Sequence, residues 1–218
     1  MAPTRVGAGF TGPIMQITAE FITSATNARD FPRDRLPEIA LVGRSNVGKS
    51  SLINALVRRP LARTSAEPGK TRLVNVYRVQ RGSSEPRYLV DLPGYGYARA
   101  TKGTSGQSGR DAAAAEINAL TEGYFGRPGD RAVILLVDSR HPGLASDRDA
   151  WEWIRSQPCA RRVVATKVDK LTRAERARHV REFETLFDMP VALVSARTGE
   201  GLDDLWKMIA SLPNRTAA

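Results

Sequence analysis

One cysteine, Cys159, stands in 218 residues, so an intramolecular disulfide is excluded and a cysteine-built metal site has no ligand set. Its expected role is packing. Histidine is almost as scarce. His141 and His179 lack companions for a metal site and read as ordinary loop or surface residues. No stretch approaches the roughly 20 apolar residues of a membrane span. Met1–Pro13 has no basic start followed by an apolar run, so no secretory signal is read there. These absences favour a cytoplasmic protein, with residues 1–13 as a disordered leader, 14–36 as an N-terminal extension and 214–218 as a tail. Acidic residues are in deficit, 23 against 33 lysines and arginines, which leaves a net charge of +10. Such a surface suits a polyanionic partner, because counterion release drives basic proteins onto nucleic acid.

What the sequence does contain is an alternation of two periods. Short β-branched runs at Ile39–Val42, Val74–Val79, Tyr88–Leu92, Val133–Val137, Arg162–Ala165 and Val191–Val194 read as strands. Helical patterns at Ser50–Val57, Ala112–Tyr124, Ala145–Ile154, Arg173–Phe187 and Leu202–Leu212 separate most of them. The alternation predicts a three-layer α/β domain with helices on both faces of a doubly wound, mostly parallel sheet. The linker from Gln80 to Arg87 is too short for a helical crossover, so the strands it joins should form an antiparallel hairpin. The expectation is six strands with one antiparallel. Ile14–Thr23 either adds a strand or covers an edge, and the Gly/Ser/Thr-rich Ala98–Arg110 reads as a mobile loop.

Directly after the first clear strand comes Gly43-Arg44-Ser45-Asn46-Val47-Gly48-Lys49-Ser50, followed by the helix-forming Ser51-Leu52-Ile53-Asn54-Ala55-Leu56. This fits G-x-x-x-x-G-K-[ST] in its required strand–helix context. Glycines let backbone N–H groups face phosphate oxygens, and the helix turns its positive end to the same anion. Lys49 supplies a charge to the phosphates, and the Ser50 hydroxyl suits Mg²⁺, a hard cation that prefers oxygen.

The third strand ends in Asp91-Leu92-Pro93-Gly94, a D-x-x-G arrangement. Asp91 is placed to hold Mg²⁺ through water, and Gly94 to bring its N–H to a γ-phosphate, coupling Tyr95–Arg110 to nucleotide state. Within the polar loop Thr64–Thr71, which includes Gly69 and Lys70, Thr71 is the first choice to complete the metal shell, with Thr64 or Ser65 as alternatives. Tyr95 follows Gly94 where Ras-type enzymes carry a water-orienting glutamine, and a phenol is no simple substitute, so slow intrinsic turnover is expected. Asn46 either coordinates a monovalent cation such as K⁺ near the phosphates or stabilises the loop by local hydrogen bonds.

The fifth strand runs into Thr166-Lys167-Val168-Asp169-Lys170, which matches [NT]-K-x-D. The Asp169 carboxylate can accept from guanine N1–H and its 2-amino group, a donor pair adenine lacks. Discrimination of this kind reaches about 10⁴–10⁵. Lys167 is expected to lay its stem across the base. After the sixth strand, Val194-Ser195-Ala196 offers backbone N–H groups, above all that of Ala196, to guanine O6. The arginines 161, 162, 173, 176, 178 and 181, with Lys170, either form an RNA-facing patch or are a solvated helix face.

At this point the chain resembles the EngB (YihA) family of GTP-binding proteins of ribosome biogenesis, nearly end to end. The strings carrying it are Gly43–Leu56, Ala62-Arg63-Thr64-Ser65, Pro68-Gly69-Lys70-Thr71, Asp91-Leu92-Pro93-Gly94-Tyr95-Gly96-Tyr97-Ala98, Asp138-Ser139-Arg140-His141 and Thr166–Leu171. The resemblance implies a Ras-like G domain over residues 37–213, Mg²⁺-dependent GTP hydrolysis, assembly of the large ribosomal subunit through its precursor and rRNA, a part in normal cell division, and a monomer. The Arg99–Ala115 stretch departs from relatives, which usually carry a shorter lysine- and tryptophan-containing segment there. A module that senses GTP and GDP without meaningful turnover is the alternative from another class, and a P-loop ATPase is a more distant one.

Overall fold

The computed structural model describes residues 16–63, 73–94 and 108–212. In chain order these form β1 (Ile17–Ala25), β2 (Glu38–Gly43), α1 (Lys49–Val57), β3 (Val74–Arg81), β4 (Arg87–Asp91) and α2 (Ser108–Phe125). There follow β5 (Arg131–Asp138), α3 (Ala145–Arg155), β6 (Ala160–Thr166), α4 (Arg173–Phe187), β7 (Val191–Leu193) and α5 (Leu202–Ser211). Among the described residues, no helix is long and apolar enough to cross a membrane.

The two-residue period of a strand sorts the core into two layers. In β2, Ile39 and Leu41 enter one buried cluster and Ala40 and Val42 the other. Leu52, Ile53 and Leu56 of α1 and Leu205, Trp206 and Ile209 of α5 pack on the first. Tyr124 of α2, Trp151 and Ile154 of α3, and Phe183 and Phe187 of α4 pack on the second. Covered on both sides, β5 is buried along its whole length, as expected of a central parallel strand. α4 begins in a reciprocal cap. Thr172 Oγ1 accepts from the Glu175 N–H at 3.3 Å, and Glu175 Oε2 accepts from the Thr172 N–H at 2.8 Å.

The sheet order is β1-β3-β4-β2-β5-β6-β7, with β3 antiparallel to both of its neighbours and every other adjacent pair parallel. β3 is therefore the one reversed strand, and the short turn between Arg81 and Arg87 makes it so. The sheet has seven strands where six were expected, because Ile17–Ala25 pairs with β3 from Ile17↔Arg81 to Ala25↔Val74. A register shift between Phe21 and Thr23 breaks the alternation there, and Phe21 and Ile22 stay exposed at the open edge. That combination hid the strand's period. A second difference lies at Ser108–Arg110, which begin α2 rather than end a loop; the rest of Ala98–Arg110 lies outside the described residues.

The chain from β1 into β2 is stapled to α2. Phe31 is buried, its ring 5.3 Å from that of Tyr124 and covered by the Arg127 guanidinium at 3.9 Å. Arg127 in turn pairs with Glu38 at the start of β2. At the other end, the buried Arg87 guanidinium donates to the Ile209 and Leu212 carbonyls and fastens the C-terminus of α5 to β4. Cys159 is half-buried against the second cluster, and burial pushes its thiol pKa up, which fits a packing role. Phe31→Ala is expected to cost about 3–5 kcal/mol in urea unfolding. Ligand affinity at the opposite rim should stay unchanged in the folded fraction.

Candidate functional site

The order of the sheet puts β2 between β4 and β5, so the loops after β2 turn to one side and those after β5 and β6 to the other. The crevice at the carboxyl ends of such strands is where open α/β sheets take ligands. Val47 of the β2–α1 loop is buried, and its carbonyl accepts from Thr166 Oγ1 at 2.7 Å. The same hydroxyl lies 3.1 Å from the Val137 carbonyl, so Thr166 fastens the loop to β5 and β6. Asn46 and Gly48 take positive φ, 59° and 108°, and wrap the loop around the N-terminus of α1. Among the described residues no side chain caps that terminus, so its first N–H groups and the helix dipole can meet an anion.

Lys49 Nζ donates to the Gly43 carbonyl at 3.0 Å. Burial lowers its pKa, against the pull of Asp91. Ser50 Oγ donates to Asp91 Oδ2 at 3.3 Å, while Asp91 Oδ1 is buried with no hydrogen-bond partner among the described residues. Burial raises the Asp91 pKa, and Lys49 and Ser50 oppose the rise. A buried carboxylate oxygen left over beside a serine hydroxyl is an oxygen pair that a hard cation would complete. Leu92 is buried and its N–H reaches the Leu41 carbonyl at 3.3 Å, while Pro93 is buried beside it. Gly94 then touches the phosphate loop itself: a Cβ there would sit 2.8 Å from Ser45 N and 3.0 Å from Ser45 Cα.

On the other side, Lys167 takes a left-handed conformation, φ 62°, and reaches back over the loop. Its Nζ donates to the Asn46 carbonyl at 2.6 Å and pairs with Asp138 Oδ2 at 2.9 Å. Asp169 accepts from Ser195 Oγ at 2.6 Å and from Arg197 Nε at 2.7 Å, with its side chain only 6% exposed. The Ser195 hydroxyl, and with it the Arg197 guanidinium, outweigh burial and hold its pKa below the usual carboxylate range. The Ser195 hydroxyl also accepts the N–H groups of Arg197 and Thr198, which curls the Val194–Ala196 turn around Asp169. The N–H of Ala196 makes no hydrogen bond among the described residues. Val194 is tied into the same rim through its N–H to the Ala165 carbonyl.

The structure thus brings together Gly43, Arg44, Asn46, Val47, Gly48, Lys49, Ser50, Asp91, Gly94, Thr166, Lys167, Asp169 and Ser195. Ser51 and Lys170 stay exposed at its margin. Thr64, Ser65, Gly69, Lys70, Thr71 and Tyr95 lie outside the described residues. Asp138 was not among the expected site residues, yet it is fully buried and pairs with Arg44, Arg140 and Lys167. Its place directly at the end of β5 was the signal available in the sequence. Asn54 was likewise missed. Its side chain holds the Leu61 and Ala62 N–H groups and the Ala62 carbonyl, fixing the turn that leads out of α1.

His179 corrects an expectation. It is buried on the inner face of α4, with Nδ1 2.8 Å from the Ser139 carbonyl, because the i, i+4, i+8 spacing of His179, Phe183 and Phe187 turns all three inward. Of the clustered arginines, Arg176 pairs with Glu200 and Arg178 with Glu182, while Arg161 Nη1 donates to the Arg155 carbonyl.

Gly94→Ala would drive a methyl into the Ser45 backbone. Overpacking of about 1–3 kcal/mol predicts a loss of roughly tenfold to a hundredfold in affinity for a phosphate-bearing ligand. The measurement is calorimetric titration with GDP and with a non-hydrolysable GTP analogue. Unchanged affinity for both would contradict the contact's importance.

Comparison with known proteins agrees with this geometry. The family described as "50S ribosome-binding GTPase" matches residues 38–167. The probable GTP-binding protein EngB of Heliobacterium modesticaldum is 42% identical over 197 residues, covering 88% of this chain and 90% of that protein. Among solved structures, a probable GTP-binding protein EngB superposes with a TM-score of 0.56 at 20% identity, covering 79% of this chain and 96% of that one. Era in complex with MgGDPNP and a stretch of 16S ribosomal RNA superposes with a TM-score of 0.64 at 22% identity. That alignment covers 84% of this chain and 59% of the longer Era chain. These two superpositions carry the fold alone: a P-loop GTPase sheet. Sequence match and fold together make this chain a member of the EngB family of GTP-binding proteins.

Proposed function

We propose that this protein is a slow, Mg²⁺-dependent GTPase that works as a nucleotide-switched assembly factor on the large ribosomal subunit precursor, with residues 37–213 as its G domain. The observation that carries the reading is the convergence, at one rim, of a helix end without a side-chain cap, a half-buried lysine and a buried carboxylate oxygen unsatisfied among the described residues with a shielded, ionised Asp169. The α1 terminus and the loop N–H groups bind the phosphates. Lys49 exchanges the Gly43 carbonyl for phosphate oxygens. Ser50 and Asp91, with Thr71 from the loop outside the described residues, hold Mg²⁺, which when bound neutralises charge on the β- and γ-phosphates. Asp169 reads the guanine edge, Lys167 supports the base plane, and the unpaired Ala196 N–H serves O6.

Gly94 is the part that senses the third phosphate. Because its Cα is packed against Ser45, any shift that brings its N–H onto a γ-phosphate is felt in the residues that follow it. No described side chain occupies the water-orienting role, and Tyr95 is a poor stand-in for glutamine, which supports slow turnover. The Asn46 side chain is exposed and makes no hydrogen bond among the described residues, so it is available to coordinate K⁺ beside the phosphates. The net charge of +10 and the description of the matching family support a ribosomal partner.

Single-turnover GTP hydrolysis in K⁺ and in Na⁺ buffer, with and without large-subunit precursors, tests the reading. Slow hydrolysis by the protein alone, faster in K⁺ and faster again with the particles, is expected. Measurable GTP binding without hydrolysis under all four conditions would leave a nucleotide sensor in place of an enzyme. Equal rates in K⁺ and Na⁺ would remove Asn46 from the chemistry.

A further inference from the structure

We infer that Asp138 is a positioning residue for the guanine nucleotide: it ties the phosphate loop and the base-reading loop into one rigid unit by holding Arg44 and Lys167 at the same carboxylate. The inference rests on the guanine-nucleotide reading of the rim and assigns to that site a residue outside the phosphate, metal and base motifs. Asp138 ends β5, the strand between β2 and β6, and its side chain is fully buried. Its Oδ1 accepts from the Arg140 N–H at 3.1 Å and from Arg140 Nε at 2.9 Å. Its Oδ2 accepts from Arg140 Nη2 at 2.7 Å and from Lys167 Nζ at 2.9 Å, and lies 3.4 Å from Arg44 Nη2. One carboxylate thus meets three cations from three loops.

Two of those cations have little else to hold them. Arg44 belongs to the phosphate loop, and its Nε is buried without a hydrogen-bond partner among the described residues. Lys167 is bound at its tip only, by Asp138 and the Asn46 carbonyl, so these two contacts fix the course of its alkyl stem. The stem passes close over the phosphate loop, with Cε 3.9 Å from where a Gly48 Cβ would stand. Lys167 also sits at φ 62°, a conformation that costs a lysine energy and persists only when surrounding contacts enforce it.

Burial pushes the Asp138 carboxyl up, but the hydrogen bonds from Arg140 and Lys167 more than reverse it, so the carboxylate stays charged. A buried ion cluster is weak evidence for stability, since an apolar replacement is often as stable; its better-attested use is to fix one arrangement. Here the arrangement fixed is the distance between the loop that meets the phosphates and the loop that meets the base. The turn that carries Arg140 is itself anchored from behind, by His179 Nδ1 at the Ser139 carbonyl.

The test is a double-mutant cycle on GDP affinity with Asp138→Asn, Lys167→Ala and the double variant, together with unfolding of each nucleotide-free protein. Asp138→Asn is expected to weaken GDP and a non-hydrolysable GTP analogue equally, by roughly tenfold to a hundredfold, the range for hydrogen bonds to charged groups. In the Lys167→Ala background the same change should cost less than about threefold, because the group it positions is gone. Full additivity, with a matching drop in the unfolding midpoint, would make Asp138 a structural residue and overturn the proposal. So would a loss confined to the GTP analogue. A wild-type protein that bound no GDP would instead sink the guanine-nucleotide reading beneath it.

Discussion

The rim of this protein depends on one constraint: a loop with unsatisfied N–H groups must be held open beside a helix end instead of collapsing onto it. The hold comes from β5 and β6. Thr166 places its hydroxyl between the Val47 and Val137 carbonyls, and Lys167 closes the same seam at the Asn46 carbonyl. The parallel sheet is what makes the arrangement possible, since it delivers β2, β5 and β6 to the same edge in register, with Gly43 opposite Leu136 and Asp138 opposite Thr166.

From that edge, two electrostatic environments separate. On one side, the half-buried Lys49 and Ser50 stand beside the buried Asp91, whose Oδ1 has no hydrogen-bond partner among the described residues. On the other side, Asp169 and Asp138 are matched by Arg197, Arg140, Lys167 and Arg44, and both stay ionised. Under the proposed function, a metal ion would take the carboxylate oxygen left over beside Ser50. Both Asp169 oxygens already accept, Oδ1 from Ser195 Oγ and Oδ2 from Arg197 Nε, so the proposed base reading requires Arg197 to release Oδ2.

Much of this was legible in the sequence because it rests on local rules. The strand–glycine–helix context of Gly43–Ser50, the carboxylates at strand ends and the short turn that reverses β3 are all written over fewer than ten residues each. What escaped had other causes. β1 is an edge strand with a register shift, so its apolar period is broken where a reader would look for it. His179 looks solvent-exposed until the α4 face is fixed by Phe183 and Phe187. Asp138 stands at a strand end, but its partners Arg44 and Lys167 come from other loops, and Asn54 reads as an ordinary helix residue until the chain after α1 folds back onto its side chain.

The central claim is that loops distant in sequence close on a single nucleotide. Amide hydrogen exchange of the full chain, with Mg²⁺ and either GDP or ADP, measures that most directly. The account predicts that GDP slows exchange in residues 43–51, 166–170 and 194–196 together, while ADP at equal concentration slows none of them. Protection by GDP of the first segment alone, or equal protection by ADP, would contradict it.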